Sequence, residues 1–191
     1  MTRTSAARLA DEELMVLVQD GNSEALEVLY ERHGGPAYSL AHRIMGERQA
    51  AEDVTQEAFL SVWRTSASYD AARGSVRSWL LQIVRNRAID ALRRSSVRGG
   101  RLDYDDDGLL ETQEAPEQTD AEVSRRERAS HVRGALKDLP HDQAQVLALA
   151  YYAGFTHSEI SELLGMPLGT VKGRMRLGLQ KVRANLGELI S

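Results

Sequence analysis

The chain has 191 residues, with 24 Lys and Arg against 28 Asp and Glu, and no cysteine. This length allows one medium domain or two small ones, and the missing thiols exclude disulfides and thiolate metal sites. The N-terminal stretch has no long apolar run and turns acidic early. We therefore expect neither a signal peptide nor a membrane span, and a cytoplasmic location.

The charges are segregated along the chain. Residues 73 to 101 hold eight arginines and one acid, residues 103 to 122 hold nine acids and no base, and residues 165 to 187 hold five bases and no acid. For nucleic-acid binding such local blocks matter more than the net charge of −4. Solvated helix faces around an acidic spacer are the alternative interpretation.

Residues 11 to 95 follow a helical pattern throughout. Asp11 is expected to cap a helix over 12–19, and Ser23 a helix that begins at Glu24. Further helices are predicted over 50–64 and 76–94, joined by a loop at 65–75. No strand-like alternation persists, so the fold class is all-α.

Helical periodicity is lost between residues 95 and 119, where breakers and acids dominate. A gap of this length is unusual inside one compact domain. The sequence therefore predicts two small helical domains, at 1–95 and 121–191, joined by an acidic flexible linker at 96–120.

The C-terminal region predicts a helix-turn-helix. Thr156 and Glu159 fit a capping box. The short helix that follows should direct Ile160, Leu163 and Leu164 toward the interior, and residues 165–168 make the turn. A second helix, from about 169 to 185, has an apolar stripe of Val171, Met175, Leu179 and Val182. Such a second helix enters the major groove of DNA.

The remaining face of that helix carries Thr170, Lys172, Gly173, Arg174 and Arg176. Arg and Lys can donate to guanine edges, and Thr can bond to a base or a phosphate. An ordinary helical hairpin with a solvated basic face is the alternative.

Two polar helix faces in the first half are candidate binding surfaces. Helix 50–64 sets Glu52, Asp53, Gln56 and Glu57 opposite an apolar side of Val54, Ala58, Phe59, Val62 and Trp63. This pattern is typical of a solvated acidic face, or of a docking face for a basic partner.

Helix 76–94 should bury Leu80, Ile83, Val84, Ala88, Ala91 and Leu92, and expose Arg77, Arg85, Asn86, Arg87, Arg93 and Arg94. Arginines suit phosphates, and Asn86 can bond to a base. Tyr69, in the preceding loop, either contacts an unstacked base or simply packs.

Together these segments resemble the extracytoplasmic-function (ECF) sigma factors, the small two-domain members of the bacterial sigma-70 family. The resemblance rests on four segments in order, separated by a spacer after the third: ALEVLYERHGGPAYSLAHRIMG, AEDVTQEAFLSVWR, GSVRSWLLQIVRNRAIDALRR and the segment from LKDLPHDQAQV to QKVRANL. It covers nearly the whole chain.

The resemblance implies three binding sites. Asp53, Gln56 and Glu57 match positions that grip the clamp coiled-coil of core RNA polymerase. The loop at 65–75 and the following helix match the part that melts and reads the minus-ten promoter element, with Tyr69, Arg77, Arg85, Asn86, Arg93 and Arg94 as its residues. The recognition helix matches the reader of the minus-thirty-five element, with Thr170, Lys172, Gly173, Arg174 and Arg176.

The resemblance also implies partners: core polymerase through its clamp and flap, promoter DNA, and an anti-sigma protein that holds the factor inactive. It implies a monomer when free. The sequence itself shows no catalytic motif and no phosphate-binding glycine loop, so we expect no catalysis, cofactor or metal of its own. A helix-turn-helix regulator with a sensor or dimerisation domain is the main alternative. A calcium-dependent nuclease is a weaker one, because the sequence has no catalytic cluster.

One motif matches the EF-hand calcium loop, with Asp103, Asp105, Asp107, Gly108 and Glu114 at the right spacing. Such a loop needs a helix on each side, whereas SSVRGGRL precedes it and Pro116 follows it. We therefore expect no calcium site there, and the five histidines show no metal-binding spacing either.

Overall fold

The computed structural model describes residues 6–97 and 139–188, in which seven α-helices and no strand occur. The first helical unit comprises α1 (Asp11–Gln19), α2 (Ser23–Met45), α3 (Arg48–Thr65) and α4 (Val76–Val97), with 3₁₀ turns at Ser66–Ser68 and Ala71–Arg73. The second unit comprises α5 (His141–Tyr151), α6 (His157–Leu164) and α7 (Leu168–Glu188). No helix in these two ranges is both long and apolar enough to cross a membrane.

In the first unit, α2, α3 and α4 pack against one another, and α1 lies against α2. The helical periodicity in the sequence correctly predicted the inner sides of α3 and α4. The fully or almost fully buried positions are Val54, Ala58, Phe59 and Val62 on α3, and Leu80, Val84, Ala88 and Leu92 on α4. This apolar core leaves the polar faces of both helices outside.

Asp11 does not cap α1, contrary to the sequence prediction. Its carboxylate accepts hydrogen bonds from Arg32 and from His33, each at 2.7 Å. Ala10 takes the cap position, and its N–H donates to the Glu13 carboxylate at 2.7 Å. Arg32 and His33 from α2 thus hold the carboxylate that a local cap would have used.

The predicted cap of α2 was also wrong, by one residue. Asn22 is the N-cap, and its side-chain oxygen accepts from the N–H of Ala25 at 3.0 Å. Ser23 is already the first residue of the helix. The amide oxygen of Asn22 satisfies one of the N–H groups that a helix start leaves unpaired.

In the second unit, α5 and α7 pack side by side and α6 lies against both. Val146, Leu149, Ile160 and Val171 form its fully buried core. Most of the α7 stripe was correctly predicted, because Val171 is buried and Met175 and Val182 are partly buried.

Leu179 is the exception in that stripe, since 53% of it is exposed. Gly178 is buried instead, and a methyl group there would lie 2.7 Å from Leu147 Cδ1 and 3.3 Å from Gln143 Cβ. Gly178, three residues after Met175 and seven after Val171, lies on the face where α7 meets α5, and the close approach there leaves no room for a larger side chain.

Parts of the predicted domain organisation fall outside the described residues 6–97 and 139–188. Most of the predicted linker at 96–120, the predicted start of the second domain at 121 and the acidic motif at 103–114 lie outside them. Within them, α4 runs to Val97, a little beyond its predicted end.

The two units touch through α2 with α5 and α4 with α6, and their buried residues form one continuous cluster.

Candidate nucleic-acid and protein interfaces

The predicted clamp-binding residues lie together on the outer side of α3. Asp53, Gln56 and Glu57 are all exposed, because the opposite side of the helix fills the core. The amide of Gln49 donates to the Asp53 carboxylate at 3.2 Å, and a Glu57 oxygen lies 3.9 Å from an Arg94 guanidinium nitrogen. The result is an acidic and amide surface on a rigid helix, suited to a basic partner.

Helix α4 is tied to α3 by a partly buried arginine. Arg87 donates to the Ser61 hydroxyl at 2.6 Å, so this guanidinium is used inside the first unit rather than at its surface. Thr55 adds a bond along α3, from its hydroxyl to the Ala51 carbonyl at 2.7 Å. The outer faces of α3 and α4 are thereby held in a fixed relation.

Tyr69 packs within the loop that precedes α4. Its ring meets Trp79 edge-on with centroids 5.6 Å apart, and its hydroxyl donates to the Gly74 carbonyl at 3.1 Å. Desolvation, aided by the charges of Glu12, Asp70 and Asp11, raises the pKa of Tyr69, so the phenol stays a neutral donor. This arrangement fits the packing interpretation of Tyr69, and any base contact would have to compete with Trp79.

The six predicted minus-ten residues do not form one uniform surface. Arg77, Asn86, Arg93 and Arg94 are exposed on α4, and Asn86 accepts from Gln82 at 2.9 Å. Arg85 differs from them, because its guanidinium is directed at the second unit and donates to the carbonyls of Tyr152 at 2.9 Å and Ala153 at 2.5 Å.

The helix-turn-helix is built as the sequence indicated. The Thr156 hydroxyl accepts from the Glu159 N–H at 3.3 Å, and the Glu159 carboxylate accepts from the Thr156 N–H at 2.8 Å. Hydrogen bonds from the Thr156 backbone and hydroxyl lower the pKa of Glu159, so the Glu159 carboxylate of the capping box is ionised near neutral pH. The Ser161 hydroxyl then donates to the Met166 carbonyl at 2.6 Å and braces the turn.

On α7, Thr170, Lys172 and Arg176 are exposed, and nothing lies near Gly173 on its outer side. Arg174 is placed differently from these. Its Nε lies 3.0 Å from an Asp142 carboxylate oxygen at the start of α5, and another nitrogen approaches the Met166 sulfur at 3.4 Å. The predicted recognition face therefore consists of exposed donors plus one arginine that also ties α7 to the rest of its unit.

Sequence reasoning missed Gly178, Arg43 and Tyr152. A glycine at helical spacing from Val171 and Met175 was the available signal for close packing at Gly178. No local signal exists for Arg43, whose guanidinium donates to the Tyr152 hydroxyl at 3.1 Å from 109 residues away. Within the described ranges, no three His, Asp or Glu side chains are placed to hold a metal ion.

Family models match both units. Sigma-70 region 2 matches residues 29–98, and Sigma-70 region 4 matches residues 135–184. Together these matches span more than half of the chain, and they coincide with the α2–α4 bundle and with the helix-turn-helix unit. The class of the protein is therefore a two-region factor of the sigma-70 family.

Curated relatives narrow that class. The chain is 31% identical over 177 residues to the ECF RNA polymerase sigma factor SigK of Mycolicibacterium vanbaalenii, covering 91% of this chain and 88% of the relative. It is 34% identical over 173 residues to SigK of Mycobacterium ulcerans, covering 89% and 90%. The chain belongs to the ECF sigma factors.

Among solved structures, Rhodobacter sphaeroides SigE in complex with the anti-sigma ChrR is 28% identical, with a TM-score of 0.44, covering 96% of this chain and 99% of SigE. As a sigma factor, the protein binds core RNA polymerase, recognises promoter DNA and starts transcription without being an enzyme.

Proposed function

We propose a specific division of labour between the faces described above. The α3 face of Asp53, Gln56 and Glu57 holds the polymerase clamp, and α4 with its preceding loop reads and melts the minus-ten element. Helix α7 reads the minus-thirty-five element, while the second unit also contacts the polymerase flap. The observation that carries the proposal is that most residues of these faces are exposed and that they lie within the two matched sigma-70 regions.

The proposal extends to the domain limits. The match to region 2 ends at residue 98 and the match to region 4 begins at 135. We place the end of the first domain at the end of α4, close to the limit of 95 predicted from sequence. The acidic linker at 96–120 and a second domain from 121 complete this division.

Regulation and location follow from the family and belong to the same proposal. Members are commonly held inactive by an anti-sigma protein that covers the polymerase-binding faces, and we propose such a partner for this chain. The site of action is the cytoplasm, where polymerase and chromosome are, and the free protein is a monomer. Size-exclusion chromatography with light scattering checks the last point, since a stable dimer would contradict it.

Promoter-dependent transcription in vitro tests the proposed function. Purified core polymerase is combined with this protein and with a library of upstream regions from the source organism. We expect transcripts with defined start sites only when the protein is added, and their promoters give both element sequences. If core binding and transcription were both absent while the protein alone bound a duplex tightly, the helix-turn-helix regulator would replace this proposal.

A further inference from the structure

The short helix α1 contacts the loop at 65–75, which precedes α4. Besides packing against α2, α1 touches α4 and the 3₁₀ turn at Ser66–Ser68. At the last residue of α1, the side-chain amide of Gln19 donates to the Ser66 carbonyl at 2.9 Å. Among the described residues, this hydrogen bond alone joins the loop to a helix other than the two that flank it. Helix α1 therefore holds the loop from a third direction.

The Ser66 carbonyl connects α1 to the backbone of Tyr69. This carbonyl accepts a second hydrogen bond, from the Tyr69 N–H at 3.0 Å, so both lone pairs of its oxygen have a donor. Ser66 itself is buried, and its hydroxyl donates to the Trp63 carbonyl at 3.3 Å. Gln19 thus bonds to the same oxygen that fixes the backbone of Tyr69.

The second half of the loop is exposed and is held through Tyr69. Residues 70–75 are all exposed, so this half is open to a ligand. The Tyr69 hydroxyl donates to the Gly74 carbonyl at 3.1 Å and spans the exposed half from one end to the other. Within that span, the Asp70 side chain accepts from the Ala72 N–H at 2.9 Å. The position of the exposed half therefore depends on Tyr69, whose backbone depends on the carbonyl that Gln19 holds.

The other end of α1 is fixed to the core of the first unit. Asp11, its first residue, accepts from Arg32 and from His33 at 2.7 Å each, and the inner side of the helix is buried. Helix α1 is therefore a support that is held on α2 at its start and reaches the loop at its end. It lies outside residues 29–98, which match Sigma-70 region 2, so that match gives α1 no role.

We propose that Gln19 is a positioning residue for recognition of the minus-ten element, because it sets the loop at 65–75 in the conformation that captures an unstacked base. This inference rests on the proposed role of the loop. Unstacking a base is unfavourable, and contacts to the captured base must offset it. A loop that already has the binding conformation loses less conformational freedom on capture. Without the Gln19 donor, the loop should discriminate less well between the correct base and the others.

Three variants of the full chain isolate the hydrogen bond. Gln19→Met keeps an unbranched side chain of similar length with good helix propensity but removes the donor. Gln19→Lys restores a donor at the same position. Gln180→Met is the matched control, because it makes the same substitution at an exposed position of the second unit. Circular dichroism checks that each variant is folded.

Proteolysis measures whether Gln19 holds the loop. An arginine-specific protease should cut after Arg73, in the exposed half of the loop, and mass spectrometry follows the product. We expect this cleavage to be about three- to tenfold faster in Gln19→Met, the range that corresponds to one neutral hydrogen bond. Gln19→Lys and Gln180→Met should be cut at close to the parent rate. An unchanged rate in Gln19→Met would overturn the positioning role.

Transcription in vitro with saturating core polymerase measures the effect on promoter recognition. The templates are a promoter that the parent holoenzyme transcribes and versions in which each minus-ten or minus-thirty-five base is replaced. We expect Gln19→Met to discriminate about three- to tenfold less at one minus-ten position, with discrimination at the minus-thirty-five element unchanged, and Gln19→Lys to restore it. A purely structural role would lower transcription equally on every template, and that result would also overturn the proposal.

Failure of the underlying function has a different signature. If transcription by the parent holoenzyme depended on no base of the minus-ten region, the proposed role of the loop would be rejected, and the role of Gln19 with it. If the parent discriminates among minus-ten bases and Gln19→Met discriminates equally well, the proposed function stands and the positioning role alone is rejected.

Discussion

The two helices proposed to read DNA differ in how far their basic side chains are already engaged. On α4, Arg85 is bonded to the second unit, Arg93 lies over Phe155 and Arg94 lies near Glu57. On α7, Lys172 and Arg176 are exposed, and Arg174 is the arginine with an acidic partner. The sequence thus shows how many basic side chains a helix face carries, whereas the tertiary contacts determine which of them can bind DNA.

The largest expected effect comes from reversing the acidic face of the first unit. Asp53→Lys with Glu57→Lys sets two positive charges against a basic clamp surface, and like charges across an interface cost several kcal/mol. We expect core affinity to fall by a hundredfold or more, measured by fluorescence anisotropy with labelled protein. Glu27→Lys with Glu47→Lys makes the same charge change on exposed positions elsewhere and should have little effect; an equal loss in that control would remove the assignment.

Packing in the second unit gives the next largest effect. Gly178→Leu forces a side chain between α7 and α5, and overpacking of this kind costs about 1–3 kcal/mol. Urea unfolding should show this loss. Gly173→Ala, where nothing lies within 4 Å, should instead gain about 0.5–1 kcal/mol from helix propensity. Equal stabilities for the two variants would mean that the close approach of α5 and α7 does not constrain position 178.

The partly buried Asp11 carboxylate of the first unit predicts a pH dependence of stability. Burial alone would raise the pKa of Asp11, but its bonds and charge interactions with Arg32 and His33 outweigh this and lower it. A lowered folded-state pKa stabilises the fold above the ordinary Asp value of about 3.9, and this contribution is lost as the pH falls through the folded value.

Asp11→Asn should therefore cost about 1 kcal/mol near neutral pH and progressively less as the pH falls below about 4. Urea unfolding at pH 7 and near pH 3 measures the difference in unfolding free energy between the parent and Asp11→Asn at each pH. The substitution Asp20→Asn, at an exposed position, is the control. A difference in unfolding free energy that is the same at both pH values would show that the charge of Asp11 does not contribute to stability.

The smallest effect separates the two roles of Arg174. Asp142→Asn removes the ionic partner on α5 without touching the proposed DNA face, and partly exposed pairs contribute about 0.2–1 kcal/mol. We expect a slight loss of stability with unchanged or modestly stronger minus-thirty-five binding in a holoenzyme gel shift. Arg176→Ala should do the opposite, weakening DNA binding at constant stability. Weaker DNA binding in Asp142→Asn would mean that the pair orients Arg174 for DNA.

Local patterns in the sequence predicted the local parts of this structure. The inner sides of α3 and α4 followed helical periodicity, and the Thr156–Glu159 box needed only residues three apart. The predicted capping role of Asp11 was wrong, and the sequence did not indicate the bonds of Arg85 to the second unit. The partners of both residues lie 21 to 68 residues away in the chain, where local patterns give no information. Periodicity also did not distinguish Leu179 from Gly178, since the choice depended on how closely α5 approaches α7.

The Arg85 bonds to backbone carbonyls have a consequence for counterions. A guanidinium that replaces a condensed cation on single-stranded DNA makes the logarithm of the binding constant fall by about 0.7 per decade of salt. While its donors are bonded to the carbonyls of Tyr152 and Ala153, Arg85 displaces no cation. A plot of DNA affinity against salt concentration for the free chain should therefore be less steep, by about 0.7 in logarithmic slope, than the number of arginines on α4 alone would suggest.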